Sequence, residues 1–154
     1  MNTHTPDHTL DEQSNHCFAC GPANPQGLHL HFTYATDPAT SHPTATATIN
    51  LTRLHEGPPG HVHGGILATL FDEAMSKLNR PLATLAMTRH MEVDYLRPAP
   101  LLHDLILTST HLRREGRKLF HTAQLRTPEG TLLAIAKGLF IAIEPSHLPA
   151  RFAK

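Results

Sequence analysis

Tryptophan is absent, and the only cysteines, Cys17 and Cys20, stand three positions apart. Thiols this close cannot tie distant parts of a chain together, which excludes a disulfide-stapled fold and leaves stability to an aliphatic core. No apolar run approaches the ~20 residues of a membrane span, and the polar opening, Met1 to His16, lacks the basic and apolar blocks of a secretory signal. Net charge is missing as well: thirteen Lys and Arg balance thirteen Asp and Glu. Overall electrostatics therefore give no support to a nucleic-acid or anionic-membrane partner, and an anion site has to be a local cluster. A cytoplasmic location, with reduced thiols, is the expectation. What is abundant is histidine, fourteen residues in all, each titrating near neutrality.

A length of 154 residues suits one domain with its own core. Residues 1–15 have the composition of a mobile leader, 16–144 of a folded domain, and 145–154 of a loose tail. Leu28 to Tyr34 and Thr44 to Leu51 alternate apolar or β-branched residues with polar ones and read as strands. Leu54 to His63, with Gly57-Pro58-Pro59-Gly60, is a shaped loop, since proline lacks a donor and glycine permits unusual angles. The period then changes. Ile66, Leu67, Leu70, Phe71, Ala74, Met75 and Leu78 share one side of a helical wheel, and Asn79-Arg80-Pro81 ends the run. Strands return at Ala86 to Leu96, Asp104 to Leu112, Lys118 to Thr127 and Thr131 to Ile143, the last three as an antiparallel meander. One long helix among about six antiparallel strands is an α+β layer arrangement. The last strand is bulky on one face and small on the other, with both largely apolar, which suggests that subunits pair or stack.

Chemistry concentrates at His63-Gly64-Gly65, where the loop enters the helix. The first N–H groups of a helix have no intrahelical partner, and adjacent glycines let a carbonyl or oxyanion approach them. Glu73 has an ordinary surface partner in Lys77, four residues on. Asp72 has none within the helix and sits far from the N-terminus, where the dipole would favour it. Gly64 and Asp72 lie eight residues apart, ~12 Å along a helix at 1.5 Å per residue. One small reacting group cannot touch both within a subunit. Two helices packed antiparallel about a two-fold axis can bring Gly64 of one chain to Asp72 of the other, giving two composite sites per dimer.

The stretch Gly57-Pro58-Pro59-Gly60-His61-Val62-His63-Gly64-Gly65-Ile66-Leu67-Ala68-Thr69-Leu70-Phe71-Asp72-Glu73 resembles the signature of hotdog-fold acyl-CoA thioesterases, in the branch of PaaI and thioesterase superfamily members 4 and 5. The likeness runs from about Cys17 to Ile143 and includes Met87-Thr88, Val93-Asp94-Tyr95-Leu96-Arg97-Pro98 and Gly116-Arg117. It implies a hotdog fold, one central helix wrapped by an antiparallel sheet, in a homodimer or dimer of dimers. It also implies hydrolysis of acyl-CoA to free acid and coenzyme A, with coenzyme A part of the substrate and no separate cofactor. The implied catalytic set is Gly64, whose amide polarises the thioester carbonyl, Asp72 as nucleophile or general base, and Thr88, which positions water from the subunit that supplies the acid. His63, Gly65, Gly57 and Glu73 are the implied substrate-contacting neighbours. Many relatives carry Asn or Gln where this chain has Gly57, preceded by Glu56. His63 is expected to shape the loop, and His55 and His61 to lie in it exposed.

Arg117, and beside it Arg113, Arg114, Lys118 and Arg97, could hold the phosphates of coenzyme A from the hairpin turns. Cys17-Phe18-Ala19-Cys20-Gly21 is half of a four-ligand zinc pattern with no second half in the chain, so it is read as a structural turn and no metal site is assigned. Two other classes share such a fold: an acyl-CoA sensor without turnover, and a hydratase or dehydratase. Asp72 weighs against both.

Overall fold

The computed structural model describes residues 14–144 and Ser146. Nearly all of the expected leader and tail therefore lies outside the described residues. The chain divides into two compact units, residues 1–31 and 32–154.

In the first unit the cysteine segment is a turn, as its glycine demands. Gly21 N–H donates to the Cys17 carbonyl at 2.8 Å, and a side chain at Gly21 would collide with the backbone of Asn15 and Cys17. Cys17 and Cys20 form no disulfide. The N–H groups of Leu28 and Leu30 donate to the carbonyls of Phe18 and Ala19. This corrects the strand expected from Leu28: these backbone groups close the cysteine turn instead of joining a sheet.

The second unit holds β1 (Thr33–Thr36), β2 (Pro43–Asn50), α1 (Gly64–Lys77), β3 (Ala86–Tyr95), β4 (Asp104–Glu115), β5 (Lys118–Arg126) and β6 (Leu132–Ala142). The strands make one antiparallel sheet in the order β1-β2-β4-β5-β6-β3. One face packs on α1. Ala45, Ala47, Leu105, Leu107, Leu119, Ala123, Ala134 and Phe140 are buried there, against Leu67, Leu70, Phe71, Ala74 and Met75 of the helix. Each large apolar side chain so buried contributes about 1.5–3 kcal/mol. The small face of β6 lets the helix approach: a Cβ on Gly138 would come within 2.9 Å of the Met75 sulfur. Ser109 Oγ seals the contact by donating to the Ala74 carbonyl at 2.6 Å. The bulky residues of β6, Ile135, Leu139 and Ile141, lie on the other face and are half-buried.

β3 is last in the sheet, bonded on one side to β6 and exposed along most of its length. A register shift between Thr88 and His90 leaves Thr88 opposite Phe140 and Met91 opposite Gly138. Thr88 and Met91 therefore share the helix-facing side, although simple alternation would separate them. No helix among the described residues is long and apolar enough to cross a membrane.

Two of the many histidines are buried in this layer. His111 and His121 stand opposite each other on β4 and β5, with Nδ1 atoms 3.2 Å apart, and His121 Nε2 has no partner among the described residues. Burial, then the neighbouring His111, pushes the His121 pKa from 6.5 down to about 4. Burial, with His42 and Arg114, also lowers that of His111. A base whose folded-state pKa is depressed contributes stability above its unfolded value, and that stability is lost as pH falls toward the folded value. Urea unfolding at pH 7 and pH 5 is expected to show His121→Leu losing less stability on acidification than the parent, by about 2 kcal/mol. An equal loss would refute the assignment.

Candidate active site

The loop before α1 is held by its own polar groups. Thr52 caps a short 3-10 turn at Arg53–His55, and His55 Nδ1 accepts from Thr52 N–H at 3.1 Å. Glu56 Oε1 accepts from Gly60 N–H at 2.7 Å, and Gly60 adopts φ 79°, where glycine is favoured. His61 Nδ1 lies 2.9 Å from the Pro59 carbonyl. His55, Glu56 and His61 thus have work within the loop. Gly57, expected to contact substrate, also has a packing reason to be glycine: a Cβ there would lie 2.8 Å from His63 Cα.

His63 is the residue that starts the helix. Its backbone is extended at φ −62° and ψ 135°, and its Nδ1 accepts from Gly65 N–H at 2.9 Å. The His63 carbonyl takes the N–H groups of Ile66 and Leu67. Of the donors at this helix start, only Gly64 N–H has no hydrogen-bond partner among the described residues. Gly65, expected to contact substrate, gives its N–H to the cap, and a Cβ on it would lie 3.2 Å from His63 Nδ1. A Cβ on Gly64 would meet only the Tyr95 ring, at an ordinary 3.7 Å. Folding of the single chain therefore does not require glycine at position 64.

Further along α1, Asp72 is half-buried on the side that faces β3, and Thr88 Oγ1 donates to its Oδ1 at 2.6 Å. Acid and hydroxyl thus come from one chain. Glu73 pairs with Lys77 at 2.9 Å, the surface pair that the four-residue spacing anticipates, so its predicted contact with substrate has a competing use. Gly64 and Asp72 belong to one unbroken helix and keep their ~12 Å separation. Tyr95, which sequence reasoning missed as a site residue, donates its hydroxyl to the Gly64 carbonyl at 3.0 Å. Its position in a strand alternation carried no signal for that contact.

The basic hairpin is largely engaged with local groups. Arg113 pairs with Glu115 at 2.7 Å and stacks on Phe120, Arg114 donates to Gly116 and Thr84, and Arg117 Nε donates to the Ala142 carbonyl. Arg97, whose Nη1 donates to the Leu132 carbonyl, lies just past the other end of β3. A cleft of about 400 Å³ lined by Pro100, His103, Asp104, Leu105, Thr127, Pro128 and Glu129 shares no residue with the junction.

Residues 59–134, which contain the helix start, Asp72, Thr88 and Tyr95, match the family model described as thioesterase superfamily. Over that stretch, just under half of its length, the chain is similar to the thioesterase superfamily. Among curated superfamily relatives, it is 38% identical over 93 residues to acyl-coenzyme A thioesterase THEM4 of Rattus norvegicus, covering 58% of this chain and 39% of that protein. It spans about two fifths of the length of the relatives of this kind that it matches. A solved thioesterase superfamily protein superposes with a TM-score of 0.73 at 31% identity, over 82% of this chain and 60% of the other. The PaaI protein of E. coli, from the phenylacetic acid degradation operon, shares the fold with a TM-score of 0.66 at 19% identity, over 76% and 81% of the two chains. The single helix on a six-stranded antiparallel sheet is the hotdog fold expected from the signature.

The two glycines on either side of His63 should behave oppositely. Gly57→Ala is expected to destabilise the protein by about 1–3 kcal/mol through overpacking against the His63 backbone. Gly64→Ala is expected to unfold within about 0.5 kcal/mol of the parent. Urea titration of both variants measures the difference, and similar losses would contradict the packing described.

Proposed function

We propose that this chain hydrolyses an acyl-CoA thioester to the free acid and coenzyme A, at a site assembled from two copies of the chain. The observation that carries the reading is the pairing of Thr88 with Asp72 at 2.6 Å on the same helix as one unpartnered donor, Gly64 N–H. A carboxylate held by a hydroxyl and a main-chain donor at a helix start are the two groups that thioester hydrolysis needs.

The second copy follows from the arrangement of β3 along α1. Tyr95 touches the helix at Gly64 and Thr88 touches it at Asp72, so strand and helix run in opposite directions. β3 is also an open edge with Met87 60% and Tyr95 53% exposed. Unpaired strand edges seek a partner strand. Pairing β3 with its own copy about a two-fold axis near the strand centre brings the Tyr95 end of one chain beside the Thr88 end of the other. Gly64 of one subunit then faces Asp72 of the second, twice per dimer. The sheet's other face, with Ile135, Leu139 and Ile141 half-buried, is where dimers would stack into a tetramer.

In the reaction the thioester oxygen accepts from Gly64 N–H, with the positive end of the α1 dipole behind it. Thr88 donates its proton to Asp72, which leaves the hydroxyl lone pairs free to accept from a water molecule. Asp72 takes a proton from that water as its oxygen attacks the carbonyl carbon. The oxyanion is stabilised at Gly64, then the carbon–sulfur bond breaks and the coenzyme A thiolate recovers the proton. Direct attack by Asp72 would expel the coenzyme A thiolate and form a mixed anhydride, and water attack at the aspartyl carbon of that anhydride would leave solvent oxygen in the aspartate after one turnover in labelled water. Arg117 and its neighbours on the hairpin are the groups of suitable charge for the phosphates of coenzyme A.

A panel of acyl-CoA thioesters assayed for free thiol tests the reading. Asp72→Ala is expected to abolish thiol release while keeping acyl-CoA binding, and Thr88→Ala to slow it less. Substantial turnover by Asp72→Ala, or tight acyl-CoA binding by the parent without thiol release, would overturn the hydrolase assignment. Sharing across subunits has its own test. When Asp72→Ala and Gly64→Val chains, each inactive alone, are refolded together in equal amounts, about a quarter of the parental activity should return, because each mixed dimer holds one site with both groups intact. Recovery of none would place both groups in one chain.

A further inference from the structure

The peptide between Gly64 and Gly65 is gripped at both ends. The Tyr95 hydroxyl donates to its oxygen at 3.0 Å, and His63 Nδ1 accepts from its nitrogen at 2.9 Å. The two side chains come from different elements: His63 caps α1, and Tyr95 ends β3. Two successive glycines otherwise leave the backbone at this place freer to rotate than at any neighbouring residue. The next donor outward is Gly64 N–H, whose direction depends on rotation about bonds that this clamped peptide restrains. The Tyr95 ring also lies within van der Waals reach of a Cβ built on Gly64, at 3.7 Å, which closes one side of the approach to that donor.

The geometry points to Tyr95 as a positioning residue that, together with His63, holds the Gly64–Gly65 peptide so that Gly64 N–H stays aimed at the substrate carbonyl. This inference rests on the hydrolase reading for its catalytic consequence, but the clamp itself exists with or without turnover. A donor that wanders costs more in the transition state, where charge has developed on the oxygen, than in substrate binding. Loss of the clamp therefore acts on kcat and spares KM. Because Tyr95 sits on the same strand as Thr88, the edge strand sets the direction of the donor as well as the pairing of the acid.

Tyr95→Phe is the test, since it removes the hydroxyl and keeps the ring of a half-exposed residue. The expected results are an unchanged Tm, a fall in kcat of about tenfold with KM within about twofold of the parent, and faster exchange of the Gly65 amide by at least about threefold in NMR hydrogen exchange. A parental kcat, or a loss expressed only in KM, overturns the positioning role. Unchanged Gly65 exchange overturns the clamp whether or not the protein turns over acyl-CoA. If the parent releases no thiol from any thioester, the hydrolase reading fails, and exchange in Tyr95→Phe still decides the clamp.

Discussion

A straight helix holds two groups eight residues apart at a separation no side chain can close, and this rigidity governs the candidate site. Gly64 and Asp72 lie on one unbroken α1, ~12 Å apart. A donor at one end and an acid toward the other can act on the same carbonyl only if another helix brings the complementary group. The proposed composite site rests on this distance, and the open edge of β3 is the surface on which that proposal pairs two copies.

β3 links the chemistry to the assembly. It runs along α1 in the opposite direction, contacts the acid through Thr88 and the helix start through Tyr95, and keeps its far edge unpaired. Its bulge beside Thr88 is part of the same design, since the extra residue re-aims the strand so that Thr88 and Met91 both turn toward the helix. The sheet behind is packed with small residues where the helix comes closest. Gly138 and Ser109 allow that approach, and the buried His111 and His121 pair occupies the same layer at a cost in acid.

Much of this was legible in the residues. The apolar wheel from Ile66 to Leu78 placed α1 within two residues of its observed start, and five of the six strand assignments held because period-two alternation is a local signal. The Glu73 and Lys77 pair was readable from its spacing alone. The Leu28 strand was misread because its alternation is real but its backbone donors serve the turn at Phe18 and Ala19. Gly57 and Gly65 were read as places for a ligand, and the structure adds that each lies against His63, a contact that glycine in a sequence does not announce.

The sequence by itself determined where the chain is periodic, where it is broken by proline and glycine, and which acid on the helix had no local partner. These depend on neighbours a few positions away, and short-range sterics and hydrogen bonding decide them. Only the tertiary structure decided that one N–H at the helix start is left without a partner among the described residues, that Thr88 meets Asp72, that Tyr95 reaches Gly64, and that His111 and His121 are buried. Each of those contacts joins residues on different elements, so it exists only once the sheet has packed on the helix.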